Sequence, residues 1–226
     1  MKTPQDKFKV MKKIIFLIFT FLIVCVGKNT AQSGFDFAFV PFDYNKRADL
    51  DDNGRSYLYD GTHVGFKVGY FNWQTDNLMK TFSLQVTTID KDFTYYNYSN
   101  NTNIIKENYS HNATSFLFKI GAIRVFNEID SKSHVYFKNE FLFALRNDEV
   151  TFKNKEPFFD NPDLKNNFNP DYKDPLQFSF GYNVGFGYQY NIIEKLGLYG
   201  DANIGFRFFE MMAFVNSNVG LRYRIN

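Results

Sequence analysis

The 226-residue chain reads as an all-β protein, an up-and-down antiparallel barrel that crosses a membrane with its strands, and three observations lead there. The first is the segment Gln177 to Tyr190. In it Phe178, Phe180, Tyr182, Val184, Phe186, Tyr188 and Tyr190 alternate with Ser179, Gly181, Asn183, Gly185, Gly187 and Gln189. Successive strand residues point to opposite faces, so one face is large and aromatic and the other small and polar. A soluble sheet would charge its solvent face, whereas a membrane barrel turns large apolar groups to lipid and fills its lumen with small or polar ones. The second observation is an export-type N-terminus, and the third is an alternation of short turns with long polar links.

At the N-terminus, Met11-Lys12-Lys13 precedes an apolar run from Ile14 to Val26, and Ala31 offers a small residue for cleavage. This is the pattern of a secretory signal over residues 1–31, which predicts export by the Sec pathway and a barrel over 32–226. The run falls short of the roughly 20 apolar residues that a membrane-spanning helix needs. Six of the 26 basic residues and one of the 24 acidic ones lie in this segment, leaving 20 against 23 and a net charge of −3. The basic balance of the whole chain therefore belongs to the signal, and nucleic acid is not an expected partner. The single cysteine, Cys25, is also in the signal, so disulfides play no part in the fold of the remainder.

Nine stretches alternate. Gly34 to Val40 sets Phe35, Phe37 and Phe39 on one face, and His63 to Tyr70 sets Val64, Phe66, Val68 and Tyr70 opposite His63, Gly65, Lys67 and Gly69. Thr81 to Thr88 sets Phe82, Leu84 and Val86 opposite Thr81, Ser83, Gln85 and Thr87, and Phe93 to Tyr98 is a tyrosine-rich stretch. Ser115 to Phe126 begins with Phe116, Phe118 and Ile120 and then blurs, as a β-bulge would cause. Val135, Phe137, Phe141, Phe143 and Leu145 oppose His134, Tyr136, Lys138 and Glu140. After the Gln177 segment, Leu196, Leu198, Ala202, Ile204, Phe206 and Phe208 oppose Tyr199, Asp201, Asn203 and Arg207. The last stretch sets Val215, Val219, Leu221, Tyr223 and Ile225 against Phe214, Asn216, Asn218, Arg222 and Arg224. Single-chain barrels of this type have even strand numbers, so eight spanning strands are expected, with ten as the alternative if a short strand near Ser56 to Tyr59 counts.

The links between them are Ile89 to Asp92, Ser99 to Thr114, Asn127 to Lys132, Asp148 to Pro175, Asn191 to Lys195 and Glu210 to Ala213. The two longest fall on one side, which marks that side as external.

With its signal ending Thr-Ala-Gln, strands such as Gly181 to Tyr188 and the closing Val219-Gly-Leu-Arg-Tyr-Arg-Ile225, the chain resembles the small outer-membrane β-barrel domain proteins of the Bacteroidetes, barrels of the OmpA type. The resemblance implies an outer-membrane location with lipid around the barrel, and it implies no chemistry.

Charge gathers on the lumen faces at Lys67, Lys138, Glu140, Asp201, Arg207, Arg222 and Arg224. These are expected to pair and fill the interior, because an eight-stranded barrel is just wide enough for its side chains. The glycines of the Gln177 strand are expected to leave room for the three arginines. The segment Asp49-Leu50-Asp51-Asp52-Asn53-Gly54, with Asp60 at position twelve, matches a calcium loop. Its ligands would be Asp49, Asp51, Asn53, the Arg55 carbonyl and Asp60, although an Asp/Asn/Gly-rich turn explains the same residues. Ser110, His111 and Glu107 are the one set with the residue types of a hydrolase; their spacing supports no such site, and the chain is expected not to be an enzyme.

The link 148–175 carries Phe152, Phe158, Phe159, Phe168 and Tyr172 on a backbone stiffened by Pro157, Pro162, Pro170 and Pro175. A solvated disordered loop has fewer aromatics, so this link is the expected contact with another envelope protein or an extracellular ligand. Three functions fit the sequence: a structural or partner-binding barrel, a narrow passive channel, and a secreted soluble lipocalin-like barrel with its aromatic faces turned inward.

Overall fold

A computed structural model describes residues 32–47, 61–99, 103–127, 131–157, 172–173, 177–208 and 212–225. The signal segment, the calcium-like loop and the short stretch near Ser56 to Tyr59 lie outside the described residues.

Strand follows strand through all of it: β1 (Ser33–Arg47), β2 (Gly61–Thr75), β3 (Leu78–Ser99), β4 (Asn103–Val125), β5 (Ser133–Pro157), β6 (Tyr172–Lys173), β7 (Gln177–Ile193), β8 (Leu196–Arg207) and β9 (Met212–Arg224). Each long strand pairs antiparallel with its neighbours in the chain, and β1 pairs with β9 to close the ring. The seam is completed at one end by a hydrogen bond from Ile225 N to the Ser33 carbonyl (2.7 Å), and Arg224 N extends the β8–β9 pairing to the Lys195 carbonyl (2.8 Å). The result is a closed eight-stranded antiparallel barrel; β6 is a two-residue addition that pairs with Glu149 and Val150 of β5. The turn end of the barrel carries the links after β2, β4 and β7 together with the start of β1 and the finish of β9. The loop end carries the links after β1, β3, β5 and β8.

Side chains are distributed inside out. Phe66, Phe141, Phe186 and Ile193 are each about 60% exposed or more, within a belt that also holds Phe37, Val64, Phe178, Ile204 and Val219, while Lys67, Lys119, Lys138, Arg146, Arg207 and Arg222 are buried. The soluble lipocalin-like arrangement, with aromatic faces turned inward, is thereby corrected. The aromatic faces point out and pair across strands, as at Phe39 with Phe66 and Phe137 with Phe186.

Three sequence expectations change. The fourth stretch, Phe93 to Tyr98, is the continuation of β3, so the turn expected at Ile89 to Asp92 is unbroken strand. Most of the Ser99 to Thr114 link is likewise strand, since β4 begins at Asn103 and pairs with β3 from Ser99↔Asn103 to Leu78↔Arg124 without a shift. β5 runs on to Pro157, well into the supposed loop. These strands of 22, 23 and 25 residues far exceed the roughly 9–11 that cross a bilayer. β2 is paired with β3 only as far as Val64↔Thr88, and β7 with β5 only to Arg146↔Gln177. The upper halves of β3, β4 and β5 thus stand beyond the ring as a three-stranded blade. About 11 residues at roughly 3.3 Å each give it a strand length near 36 Å.

The blur after Ile120 is not a bulge. Alternation persists, but Ile123 and Val125 point inward with the apolar groups of the turn end, while the charged Arg124 points out between them. A bulge does occur in β1, between Val40 and Asp43, where Pro41 has no N–H for the ladder. It switches parity. Before it the inward residues are Asp36, Ala38 and Val40; after it Asp43 and Asn45 are buried while Phe42 is exposed. Without that extra residue Asp43 would face outward among aromatics.

Candidate functional site

Inward residues of the eight long strands meet in the lumen, and their charges are organised in pairs. Lys67 of β2 reaches Asp36 of β1 at 3.0 Å, and the Tyr199 hydroxyl donates to the same carboxylate at 3.3 Å. Lys138 of β5 lies 3.0 Å from Asp201 of β8 and 3.7 Å from Glu140 on its own strand. The other Asp201 oxygen accepts from Asn203 (2.7 Å) and Asn218 (2.6 Å), and Asn183 donates to Glu140 at 3.3 Å. Toward the loop end Lys119 donates to Gln85 (2.6 Å), which donates in turn to Asp43 (3.3 Å). A buried charge is tolerated only with such compensation, so these contacts are a condition of packing the lumen with ions.

Apolar groups seal the polar belt. At the turn end Ala38, Phe71, Trp73, Met79, Ile123, Val125, Tyr136 and Tyr199 form one buried cluster. In the loop-end half Leu117, Leu142, Ala144 and Phe214 form another. Arginines join the two media by presenting their flat groups to rings. Arg222 sits 4.3 Å from the Tyr199 centroid and 5.2 Å from that of Tyr136, and Arg207 sits 5.5 Å from that of Phe214. Arg146 and Arg207 both approach the Met212 sulfur, at 3.6 and 3.8 Å.

Of the lumen charges read from sequence, Lys67, Lys138, Glu140, Asp201, Arg207 and Arg222 are buried inside the barrel. Arg224 is not. It is half-buried at the turn-end mouth, because the barrel wall ends there. The β7 glycines serve other neighbours than the three arginines together. A Cβ on Gly187 would lie 2.2 Å from Cζ of Tyr136, and one on Gly185 would lie 2.1 Å from the Asn203 side-chain oxygen; of the three arginines only Arg207, through its backbone, meets a β7 glycine, Gly181. Asp36, Asp43, Lys119 and Arg146 complete the network and were missing from the sequence reading. Three of them had a signal: Asp36 lies between Phe35 and Phe37, Lys119 between Phe118 and Ile120, and Arg146 continues the even-numbered face of Glu140. Asp43 had none, since only the bulge turns it inward.

The calcium ligands Asp49, Asp51, Asn53, Arg55 and Asp60 lie outside the described residues, as do Phe158, Phe159 and Phe168. Phe152 belongs to β5, paired with Tyr109 of β4, and Tyr172 to β6, paired with Val150. Ser110 and His111 are consecutive in the blade part of β4, with His111 buried on one face and Ser110 on the opposite face. A nucleophile and its base cannot meet from opposite faces of a strand.

A closed ring with a lipophilic exterior and a packed, ion-paired interior defines a transmembrane-type β-barrel of eight strands. No family model matches the chain, and no curated protein does. Among solved structures it is similar to Neisserial surface protein A, at 12% identity and a TM-score of 0.50, over 84% of this chain and 96% of that one. It is similar also to a major outer membrane protein from Thermus thermophilus, at 12% identity and a TM-score of 0.52, over 86% of this chain and all of that one (100%). At such identities the likeness concerns the fold, and the fold is that of outer-membrane barrels.

Proposed function

We propose that the protein is an integral barrel of a bacterial outer membrane, delivered by the signal at 1–31 through the Sec pathway, and that its role is structural or partner-binding, without chemistry of its own. The observation that carries this reading is the inversion of side chains, aromatic outside and ionic inside, which only a lipid surround makes stable. In this reading the turn end faces the periplasm and the blade of β3, β4 and β5 stands outside the cell. Membership of the Bacteroidetes barrel family belongs to the same proposal and rests on the sequence resemblance.

The blade and the link that follows it are the proposed contact with another envelope protein or an extracellular ligand. Residues 149–150 pair with Tyr172–Lys173, so both ends of that link are anchored to the blade. Calcium at Asp49 to Asp60 would lie at the same end of the barrel, and isothermal titration with the purified protein tests it. The packed lumen, with Arg146, Arg207, Lys119 and Lys138 all buried, favours a plugged barrel over the passive channel.

Two measurements test the whole. The protein should fractionate with the outer membrane and show heat-modifiable gel mobility; recovery in the soluble periplasm would sink the proposal. Deleting 158–171, which spares β5 and β6, should leave that mobility intact while abolishing cross-linking to neighbours in native membranes. An unchanged cross-linking pattern would remove the docking role.

A further inference from the structure

We propose that Lys80 and Arg124 form a headgroup site for an anionic phospholipid on the outside of the barrel, where its turn end leaves the hydrocarbon. This site rests on the outer-membrane reading above and gives one part of the wall a lipid of defined charge. Met79 and Ile123 are buried in the lumen, so the adjoining Lys80 and Arg124 point outward, and both are exposed. From the turns up to the foot of the blade, they are the only charged residues among the described outward side chains of the ring. They also sit side by side. β3 and β4 pair Lys80 with Ala122 and Leu78 with Arg124, which makes the two cations diagonal neighbours with Cβ atoms about 7–8 Å apart. Neither has a hydrogen bond, ion pair or ring contact among the described residues. On the β2 side Lys80 faces Asn72, whose side-chain oxygen accepts from Gln74, and on the β5 side Arg124 faces Phe137. Of the acids in the adjacent turns, Asp76 lies between β2 and β3, and Glu128 and Asp130 lie outside the described residues.

Like charges set side by side repel, and each is costly in an apolar surround without a counter-charge. One phosphodiester supplies acceptor oxygens to both at once, and the long stems of lysine and arginine let their heads converge on it. Depth agrees with this. Beyond Lys80 the outward residues of β3 are Phe82, Leu84, Val86 and Thr88 before Asp90; beyond Arg124 those of β4 are Ala122, Ile120, Phe118 and Phe116 before Thr114. Each run covers about ten residues, the length of tilted strand that crosses the hydrocarbon core. Lys80 and Arg124 therefore stand at its turn-end boundary, within reach of the lipid headgroups. Ile120 and its pairing partner Phe141, both exposed, offer the acyl chains an apolar wall on the hydrocarbon side. A zwitterionic headgroup would bring an ammonium of its own toward two cations, so a lipid of net negative charge fits best.

The folded full chain in detergent micelles is titrated with phosphatidylglycerol and, separately, with phosphatidylcholine of the same acyl chains, and retained lipid is counted by native mass spectrometry. One phosphatidylglycerol per barrel is expected, held about tenfold or more tightly than phosphatidylcholine, since each cation near an anionic lipid surface contributes about fivefold. Lys80→Gln and Arg124→Gln should each lower that preference about fivefold, and together they should abolish it. Both side chains lie outside the packed lumen, so the variants should keep the heat-modifiable mobility of the parent. Lys195→Gln, which removes a cation of the β7–β8 turn, should leave the preference unchanged. The proposal fails if the two lipids bind alike or if the folded double variant keeps the preference. It fails also if Lys195→Gln lowers the preference as much, which would mean a diffuse turn-end field, or if glycerol phosphate competes at equal concentration, which would make free phosphate the ligand. Absence of heat-modifiable mobility in the parent would instead overturn the outer-membrane reading, and this site with it.

Discussion

Replacing Asp36 by Asn tests whether the lumen is held by compensated charge. Lys67 Nζ and Asp36 Oδ2 are 3.0 Å apart with both side chains buried. At an effective dielectric of about 20 their attraction is roughly 5 kcal/mol, largely offset by the desolvation of both ions. Removing one partner leaves the other buried without its counter-charge, for which about 3–5 kcal/mol is the ordinary cost. The Tyr199 ring, 5.1 Å from Lys67, supplies a little compensation, so a loss near 3 kcal/mol is expected. The assay is urea unfolding of the barrel in lipid vesicles, followed by Trp73 emission and gel mobility. The double variant Asp36→Leu with Lys67→Met removes both charges and should recover stability to within about 1.5 kcal/mol of the parent. A loss below about 1 kcal/mol in the single variant, or a double variant no better than the single one, would refute the reasoning.

Other perturbations read different surfaces. Gly187→Leu should prevent barrel assembly because its Cβ would lie 2.2 Å from Tyr136, whereas Gly200→Ala, whose Cβ would meet only a carbonyl at 3.7 Å, should fold with stability within about 0.5 kcal/mol of the parent. Phe186→Arg places a charge on the 63%-exposed outer face and should cost about 2–4 kcal/mol in vesicles if that face meets the bilayer interior; an unchanged unfolding midpoint would contradict a lipid contact there. The parent should show no steady conductance in planar bilayers, because apolar clusters close both halves of the lumen; a conducting parent would overturn the plugged reading.

How much of this was legible in the residues follows from where each strand lies. Within the bilayer-sized part, lipid and lumen impose opposite demands, and β2, β7, β8 and β9 display clean two-residue alternation that can be read directly. Beyond it the outward residues of β3 turn polar, so Asp90 and Asp92 look like a turn although they continue a ladder beside the buried Ile89, Tyr109 and Ala113. At the turn end the reverse happens: the lumen itself becomes apolar, and Ile123 and Val125 erase the contrast with Ile120. The charged network was half legible for the same reason. Lys67 stands between the outward Phe66 and Val68, but Asp43 depends on a backbone irregularity at Pro41 that no side-chain pattern announces.

The seam between β1 and β9 joins residues nearly the whole described chain apart, whereas every other pairing of long strands links near neighbours in sequence. Hairpins such as β3 with β4 close a short loop and form locally, but the seam must await a chain already ordered between its ends, at the largest loop-closure entropy in the molecule. Until it forms, two edges with unsatisfied backbone groups remain open, a state that hydrocarbon does not tolerate. Closure and full insertion are therefore one event. The parity switch at Pro41 lies on one side of that seam, so the last contact to form is also the one that seats Asp43 in the lumen.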